Sequence, residues 1–251
     1  MKTLGFIGMG NMGYAILKGL LQVFDREVLL LTDADRKRAE KISEETGVAC
    51  AADNAACASM ADYVVLAVKP QYYDAVLSDI KDTVTKEKII ISIAPSVTIQ
   101  DLKEKLGQDR RIVRAMPNTP ALVGMGVTGC AMRQSVFLRR KGIPSVSFLS
   151  PSVPWNWWRN RLMNAVVCVS GSSPAYVYMF IEALADSAVK YGLPRDTAYR
   201  MAARTVMGSA EMVLETGEHP GKLKDMVCSP GGTTIAAVSA LEEWRIQECR
   251  N

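Results

Sequence analysis

Short apolar runs alternate with amphipathic stretches along the first half of the chain. Leu4–Ile7 is such a run, and between residues 11 and 24 apolar side chains recur every three to four residues, as on one face of a helix. The same alternation predicts strands at 27–32, 48–51, 63–68, 89–93 and 112–115, and helices at 36–46 and 100–106. Strands that alternate with helices predict an α/β fold with a doubly wound, mostly parallel sheet.

A glycine-rich turn joins the first predicted strand to the first predicted helix. Its residues are Gly8, Met9, Gly10, Asn11, Met12 and Gly13, in the G-x-G-x-x-G spacing. The strand before it and the helix after it are the context of a dinucleotide-binding (Rossmann-type) fingerprint, although a purely structural turn has the same composition. Gly8 permits the tight turn, Gly10 lets the backbone approach a pyrophosphate, and Gly13 lets the helix pack closely on the sheet.

Two opposed signals follow the second predicted strand. Asp33 lies about twenty residues after the glycine turn, where a carboxylate binds a ribose 2′-hydroxyl and favours NAD. Arg36, Lys37 and Arg38 come next, and their charges suit the 2′-phosphate of NADP, but a solvated helix face explains them equally well. The sequence therefore indicates NADP or NAD as cofactor without deciding between them.

From Ser170 onward the pattern is that of helices alone. Pro174 suits the first turn of a helix at 175–191, and further helices are predicted at 195–215 and 235–243. In the second of these helices, six side chains are expected to face a core or a subunit interface: Met201, Ala202, Thr205, Val206, Met212 and Val213. The expected domains are a dinucleotide-binding domain at 1–161 and an all-α dimerisation and substrate domain at 162–251.

Composition excludes several classes of protein. The net charge of +4 is small and no basic stripe is interleaved with aromatic residues, so nucleic acid is not an expected partner. The six cysteines have no metal-like spacing, and the single histidine, His219, excludes a histidine-based triad or a multi-histidine metal site. No metal is expected. No apolar run has the length of a membrane span and no signal peptide is evident, so a cytoplasmic protein without membrane contact is expected.

A second glycine-containing turn precedes the last predicted helix. It consists of Ser229, Pro230, Gly231, Gly232, Thr233 and Thr234. The two glycines expose the backbone, and the start of the following helix can hold a small anion such as a carboxylate. A threonine at this position is also an ordinary helix N-cap.

Five stretches together identify a family. They are the glycine turn, residues 67–70, residues 116–120, residues 170–176 and the turn at 229–234. In combination they resemble the pyrroline-5-carboxylate reductases, which catalyse the last step of proline biosynthesis. The resemblance implies NAD(P)H-dependent reduction of 1-pyrroline-5-carboxylate to L-proline. It also implies a homodimer or a larger homo-oligomer, whose helical domains pair and whose active site includes residues of both subunits.

The resemblance also implies roles for individual residues. The cofactor contacts it implies are Ile7, Gly8, Met9, Gly10, Asn11, Met12, Asn54, Ala67, Val68, Lys69, Pro70 and Ala94, to which we add Gly13 and Asn118 as candidates. The substrate contacts are Thr233 and Thr234, with Ser229, Gly231 and Gly232 as candidates that hold the substrate carboxylate. Thr234 is the predicted catalytic residue, because its hydroxyl is assigned to the ring nitrogen as orienter and proton donor.

Two segments, about 133–161 and 244–251, depart from the family pattern. All four tryptophans lie in them, and no acidic residue occurs between Asp109 and Glu182. One hypothesis is that both are out-of-frame readings, because each can be encoded so that a neighbouring frame reads a plausible strand or helix. The alternative is a genuine insertion. Under the first hypothesis the chain exposes apolar surface and its activity is in question.

Two other functions stay open at this point. A reductase of the β-hydroxyacid type shares the domain plan but uses a catalytic lysine in the helical domain, and the nearest candidate, Lys190, lies near the far end of its helix. The third function is that of an inactive, nucleotide-binding remnant. Formation of proline from the imine distinguishes the three.

Overall fold

The structure is a computed structural model that describes residues 2–132 and 160–243, with the backbone alone at 156–157. Nearly all of the two segments interpreted as out of frame, about 133–161 and 244–251, therefore lies outside the described residues. The chain forms two compact units, Met1–Tyr176 and Val177–Asn251. The domain limits expected from sequence, 1–161 and 162–251, stay a prediction.

The first unit is built on a mostly parallel sheet, as the sequence predicts. Its described strands are β1 Leu4–Ile7, β2 Leu29–Thr32, β3 Ala49–Cys50, β4 Tyr63–Leu66, β5 Ile89–Ser92, β6 Arg111–Met116, β7 Gly129–Met132 and β8 Asn156–Trp157. Their order is β3-β2-β1-β4-β5-β6-β7-β8, and every pair is parallel except the antiparallel pair β6 and β7. The chain thus crosses from one side of β1 to the other, which makes the carboxyl ends of β1 and β4 a topological switch point.

Helices cover both faces of this sheet. They are α1 Asn11–Leu20, α2 Arg36–Thr46, α3 Asn54–Met60, α4 Tyr73–Ile80, α5 Ile99–Leu106 and the short α6 Met163–Val166. All four residues of β1, β2, β4 and β5 are buried. Alternate residues of one strand belong to different cores, since Phe6 packs in one cluster and Ile7 in the other. Burial on both faces explains why these strands read as continuous apolar runs.

Some predicted boundaries were wrong by two to four residues, and several elements were missed. The first helix ends at Leu20 rather than at Phe24, β2 begins at Leu29 rather than at Glu27, and β4 ends at Leu66 rather than at Val68. The missed elements include α3, α4, β7, α6 and the helix Pro220–Val227. Asp53 caps α3 by accepting a hydrogen bond from the Ala56 N–H, a signal that the sequence offered but that its weak periodicity obscured.

The buried cysteines of the first unit fill its core. Cys57 and Cys130 are free and fully buried, as expected for reduced thiols that act as small apolar side chains. Burial raises the pKa of the Cys57 thiol to about 12 and raises the pKa of Cys130 as well. Neither thiol is therefore a nucleophile at neutral pH.

The second unit is helical and has a small core of its own. Its helices are α7 Ser173–Lys190, α8 Arg195–Thr216, α9 Pro220–Val227 and α10 Thr233–Glu243, of which α7 begins in the first unit. Ala185, Ala198 and Ala202 form its buried cluster. Of the six α8 side chains expected to face a core or a subunit interface, Ala202 is buried, whereas Met201 and Met212 are 58% and 47% exposed in the single chain, so their place at an interface stays a prediction. Thr205 is exposed as well.

One helical stretch is long and apolar enough to cross a bilayer by length and composition. It spans Asn160–Lys190, has a mean hydropathy of 1.2, and only 6% of its most apolar window is buried. The sequence pattern had not indicated a run of this length. A single stretch of this kind is weak evidence for a membrane span, because helices of soluble proteins pass the same test.

Candidate cofactor cleft and substrate turn

A cleft of about 1000 Å³ opens at the carboxyl ends of the parallel strands in the first unit. Its walls come from the segments that follow β1, β4, β5 and β6, together with one side of α2 and residues 167–172. Ligands of open α/β sheets bind at this edge, outside the strand ends. The volume is at the upper end of the range for ligand pockets, as an extended dinucleotide requires.

The glycine turn has the geometry of a phosphate cradle. Gly8 has a φ of +101°, and an added Cβ would lie 2.8 Å from the Ala67 carbonyl oxygen. A Cβ at Gly13 would collide with the Gly8 carbonyl oxygen, whereas a Cβ at Gly10 meets no atom within 4 Å. No side chain caps the start of α1 and its first turn holds no acidic residue. Uncapped N–H groups and an open backbone fit a bound pyrophosphate.

Most of the predicted cofactor residues line this cleft. They are Met9, Gly10, Asn11, Met12, Ala67, Val68, Lys69, Pro70 and Ala94. Ile7, Gly8 and Gly13 are buried in the strand and turn beneath it. Asn54 is not among the lining residues, and its amide donates to Asp79 Oδ2 at 2.9 Å. The cofactor contacts of all these residues stay predictions.

Sequence reasoning missed several other lining residues. On the α2 side they are Tyr14, Lys41, Ile42 and Glu45, and at the strand ends Ile93, Pro95, Met116 and Pro117. The Tyr14 hydroxyl donates to Glu45 Oε1 at 2.5 Å, and Lys18 lies 3.3 Å from the same oxygen. The hydrogen bond raises the pKa of Tyr14 and lowers the pKa of Glu45. The helical period places 38, 41, 42 and 45 on one face, which was an available signal.

A buried cation supports the wall that follows β5. Arg114 in β6 donates to the Pro95 carbonyl oxygen and, at 3.3 Å, to Asn160 Oδ1. Burial lowers the pKa of this guanidinium, which has no carboxylate within ion-pair distance in the described part of the chain. The guanidinium thus fixes the backbone of Pro95, which lines the cleft. The strand pattern alone did not reveal this contact.

Asn118 connects two loops at the inner end of the cleft. Its Oδ1 accepts from the Val127 N–H at 2.8 Å, and its Nδ2 donates to the Ser170 carbonyl oxygen at 3.1 Å. Ser170 belongs to the π-helical turn Val167–Ser172, whose Gly171 and Ser172 line the cleft. Asn118 is buried and is not itself a lining residue. The structure therefore gives its side chain a positioning role, and its predicted cofactor contact stays a prediction.

Replacing Asn118 with alanine is expected to destabilise the first unit by about 2 kcal/mol, because the half-buried Val127 N–H loses its acceptor and a second hydrogen bond is also lost. Unfolding in urea, monitored by circular dichroism, measures the change in the free energy of unfolding. Thr119→Ala is the matched control, since Thr119 is the exposed neighbour. Equal stability of the two variants would contradict the positioning role.

The predicted substrate turn lies in the second unit. Gly231 has a φ of +68°, and the Gly232 N–H donates to the Ser229 carbonyl oxygen at 3.1 Å. An added Cβ at Gly232 would require the Ser229 hydroxyl to rotate away and would lie 3.2 Å from the Ser229 carbonyl oxygen. Thr233 begins α10 and is exposed, while Thr234 is half-buried. The turn thus presents bare backbone and a helix start, and its substrate contacts stay predictions.

His219 lies at the start of α9 and has a structural contact there. Its Nδ1 accepts a hydrogen bond from the Gly221 N–H at 3.1 Å, so the side chain is an N-cap. In the described residues no three His, Cys, Asp or Glu side chains form a group that could hold a metal ion.

Two family models match parts of the chain, and its relatives match nearly all of it. A family model described as pyrroline-5-carboxylate reductase dimerisation matches residues 160–249, and one described as NADP oxidoreductase coenzyme F420-dependent matches residues 3–96. The chain is 48% identical to the pyrroline-5-carboxylate reductase of Escherichia coli K12, over 96% of this chain and 90% of that protein. It is 39% identical to the corresponding protein of Pisum sativum, over 96% and 88%.

Solved structures of pyrroline-5-carboxylate reductases share the fold over nearly the whole chain. A pyrroline-5-carboxylate reductase from Coxiella burnetii has a TM-score of 0.87 at 35% identity, covering 98% of this chain and 92% of that one. The Plasmodium falciparum pyrroline carboxylate reductase, solved with NADP bound, has a TM-score of 0.85 at 31% identity, with the same coverage. An imine reductase from Myxococcus stipitatus shares the fold alone, with a TM-score of 0.56 at 16% identity over 86% and 76%.

Proposed function

The chain belongs to the pyrroline-5-carboxylate reductase family, and from this premise we propose that it reduces 1-pyrroline-5-carboxylate to L-proline with NADPH or NADH. The observation that carries the proposal is the family match along nearly the whole chain, which includes both glycine turns. The cleft of the first unit supports it, because its open, uncapped backbone fits a dinucleotide. The reaction is the last step of proline biosynthesis, and we place it in the cytoplasm.

The cofactor supplies the hydride, and the protein supplies position and electrostatics. The glycine turn holds the pyrophosphate against the start of α1, where N–H groups without a side-chain cap donate to it. Residues 67–70 and Ala94 form the adjacent wall at the ends of β4 and β5. A protonated cyclic imine is already an electrophile, so no charged nucleophile is needed from the chain.

The turn at 229–234 holds the substrate in this proposal. Backbone N–H groups of Gly231 and Thr233 donate to the substrate carboxylate, which the positive end of the α10 dipole also attracts. The Gly232 N–H donates within the turn, to the Ser229 carbonyl oxygen. The Thr234 hydroxyl donates to the lone pair of the neutral imine nitrogen, orients the ring and passes it the proton that makes the imine a strong electrophile, while solvent returns a proton to the hydroxyl. Hydride addition to the protonated imine then gives the ring amine. Ser229 supports the turn through the hydrogen bond that its carbonyl oxygen accepts.

The two other candidate functions are not favoured. The relatives that match along the chain bear the name pyrroline-5-carboxylate reductase, in bacteria, archaea and plants. A reductase of the β-hydroxyacid type needs a catalytic lysine, and Lys190 is a poor candidate because it is exposed and is the last residue of α7. An inactive remnant would bind the cofactor without forming proline.

A steady-state assay tests the proposal. Purified protein is mixed with 1-pyrroline-5-carboxylate and either NADPH or NADH, and both cofactor oxidation and proline formation are measured. Proline formed in proportion to oxidised cofactor supports the proposal. Cofactor binding by calorimetry without any proline would overturn it in favour of the remnant.

The chain forms homo-oligomers, as the match to a dimerisation family indicates. We propose a homodimer or a larger assembly in which the exposed apolar face of the second unit is the contact. Phe180 and Leu184 are one helical turn apart on α7 and are 40% and 37% exposed, and Met201 and Met212 on α8 are exposed too. Exposed apolar side chains grouped on one face are typical of a surface that contacts another protein.

Replacing Leu184 with glutamate is expected to shift the protein toward monomer, because a buried charge without a partner opposes association. Light scattering after size-exclusion chromatography gives the mass. Lys190→Gln on the same helix is the control, since Lys190 is exposed and polar already. An unchanged mass for Leu184→Glu would place the contact elsewhere.

A further inference from the structure

The backbone that follows β5 lines the cleft beyond the point where the sheet holds it. β5 pairs with β4 as far as Ser92, and the Ile93 N–H then donates to the Leu66 carbonyl oxygen at 3.3 Å. In the described residues no backbone–backbone hydrogen bond holds Ala94 or Pro95, and a proline has no N–H to donate. The position of these two residues therefore depends on side chains.

Tyr73, the first residue of α4, is buried at the ends of β4 and β5. Its hydroxyl donates to the Leu66 carbonyl oxygen at 3.1 Å and lies 2.9 Å from Ser92 Oγ. A phenol has a single proton, so Ser92 is the donor in the second hydrogen bond. Burial raises the pKa of Tyr73 to about 12, although Ser92 and the nearby N–H groups of Ala94 and Ile93 act to lower it. The hydroxyl therefore stays protonated at neutral pH, next to the Ala94 backbone.

Arg114 in β6 holds the next residue, Pro95. Its guanidinium donates to the Pro95 carbonyl oxygen and to Asn160 Oδ1, while its buried Nε has no partner among the described residues. Ile112, two residues earlier on the same face of the strand, packs in an apolar cluster. A buried cation without a carboxylate is unfavourable, and an apolar side chain at this position would often be as stable or more stable. The guanidinium thus makes a contact that packing alone does not require.

These contacts lie at the nicotinamide end of the cleft. With the pyrophosphate on the glycine turn after β1, the two nucleosides of a dinucleotide lie on opposite sides of β1, and adenosine is the one beside β2. The nicotinamide is then expected over the ends of β4 and β5, where Ala94 and Pro95 line the cleft. A hydride donor and its acceptor must approach to about 3–3.5 Å, and a shift of about 1 Å can lower the rate about a hundredfold.

We propose that Tyr73 and Arg114 are positioning residues for hydride transfer, because they fix the Ala94–Pro95 backbone against which the nicotinamide packs. The inference rests on the proposed function and adds to it two side chains that do not touch the cofactor. Neither residue is among those that line the cleft. Their replacement is therefore expected to change the rate of transfer and to leave cofactor affinity unchanged.

Hydrogen–deuterium exchange tests the contact without turnover. Mass spectrometry follows the amides of residues 93–98 in the wild type, in Tyr73→Phe, which removes only the hydroxyl, and in Arg114→Met, which replaces the guanidinium by an apolar chain. Both variants should exchange these amides about tenfold faster than the wild type. Tyr72→Phe and Arg111→Met are the matched controls, because Tyr72 is 57% exposed and Arg111 lies at the other end of β6. Unchanged exchange in both Tyr73→Phe and Arg114→Met would overturn the proposal.

Single-turnover kinetics shows whether the contact sets the rate of reaction. Protein with one equivalent of NADPH or NADH is mixed with excess 1-pyrroline-5-carboxylate in a stopped-flow fluorimeter. The rate constant reports hydride transfer, and the amplitude reports the fraction of active molecules. Arg114→Met should lower the rate constant about a hundredfold and Tyr73→Phe about fivefold, with the amplitude unchanged. A lower amplitude with an unchanged rate constant would assign both residues a purely structural role and overturn the proposal.

A conservative variant and the wild type complete the test. Arg114→Lys keeps a cation that can donate to the Pro95 carbonyl oxygen, so its rate constant should lie between those of the wild type and Arg114→Met. If the wild type forms no proline with either cofactor, the proposed function fails, while the exchange comparison still decides whether the two side chains hold residues 93–98. Faster exchange with unchanged rate constants would refute the positioning role and leave the proposed function intact.

Discussion

Replacing Gly10 with alanine is expected to weaken the binding of NADPH and NADH about a hundredfold while leaving the folded chain as stable as before. An added Cβ at Gly10 meets no atom within 4 Å, and its φ of −71° and ψ of −174° are open to alanine. The methyl group would occupy the space through which the pyrophosphate approaches the backbone. Loss of one or two charge-assisted hydrogen bonds accounts for the expected factor.

Fluorescence titration of both cofactors, paired with urea unfolding, separates affinity from stability. Gly19→Ala is the matched control, because Gly19 lies in the same helix, its added Cβ would be 3.9 Å from the nearest atom, and it is outside the cleft. Gly13→Ala provides a contrast, since its Cβ collides with the Gly8 carbonyl oxygen and should lower stability and affinity together. Unchanged cofactor affinity in the Gly10→Ala variant would show that the glycine turn does not bind the pyrophosphate.

Replacing Thr234 with alanine is expected to lower kcat about a hundredfold with cofactor affinity unchanged. The proposed hydroxyl–nitrogen hydrogen bond orients the imine and supplies its proton, and effects of this type are worth about two orders of magnitude. Thr234 is half-buried. Among the hydrogen bonds of the described residues, none involves its side chain, so the hydroxyl does not hold the turn in shape. Stability should therefore change little.

Two variants make the test specific. Thr234→Ser keeps a hydroxyl at the same position and should retain most of the turnover. Ser239→Ala removes a hydroxyl from the exposed side of the same helix and should leave kcat unchanged. Steady-state rates with saturating cofactor, and titration of the cofactor alone, provide the two readouts. Full turnover in Thr234→Ala would show that water or another group provides the proton.

Elements set by local sequence were predicted well. The strand Leu4–Ile7, the glycine turn and the start of α1 at Asn11 follow one another without an intervening loop, so local pattern and glycine chemistry were sufficient. Helix α2 ends at Thr46 as expected, and Gly47, the residue that follows it, has a φ of +71°. The alternation of buried strands and helices also implied the parallel sheet, because such strands need crossover helices between them.

Contacts between distant parts of the chain were not predictable in this way. Asn118 was expected to contact the cofactor, yet its partners are Val127 and Ser170, and the latter is 52 residues away. Arg36 and Arg38 have the same side chain and nearly the same position in sequence. Only the packing of α2 against the sheet decides that one faces a carbonyl pair and the other the cleft.

The sequence by itself determined the family, the order of the main elements and the two turns in which glycine leaves the backbone bare. It could do so because these features depend on residues that are neighbours in the chain. The tertiary structure decided which of the named side chains reach the cleft, that Asp33 holds the glycine turn, and that Met201 and Met212 remain exposed in a single chain. Those outcomes depend on distances between residues far apart in sequence, which no local pattern records.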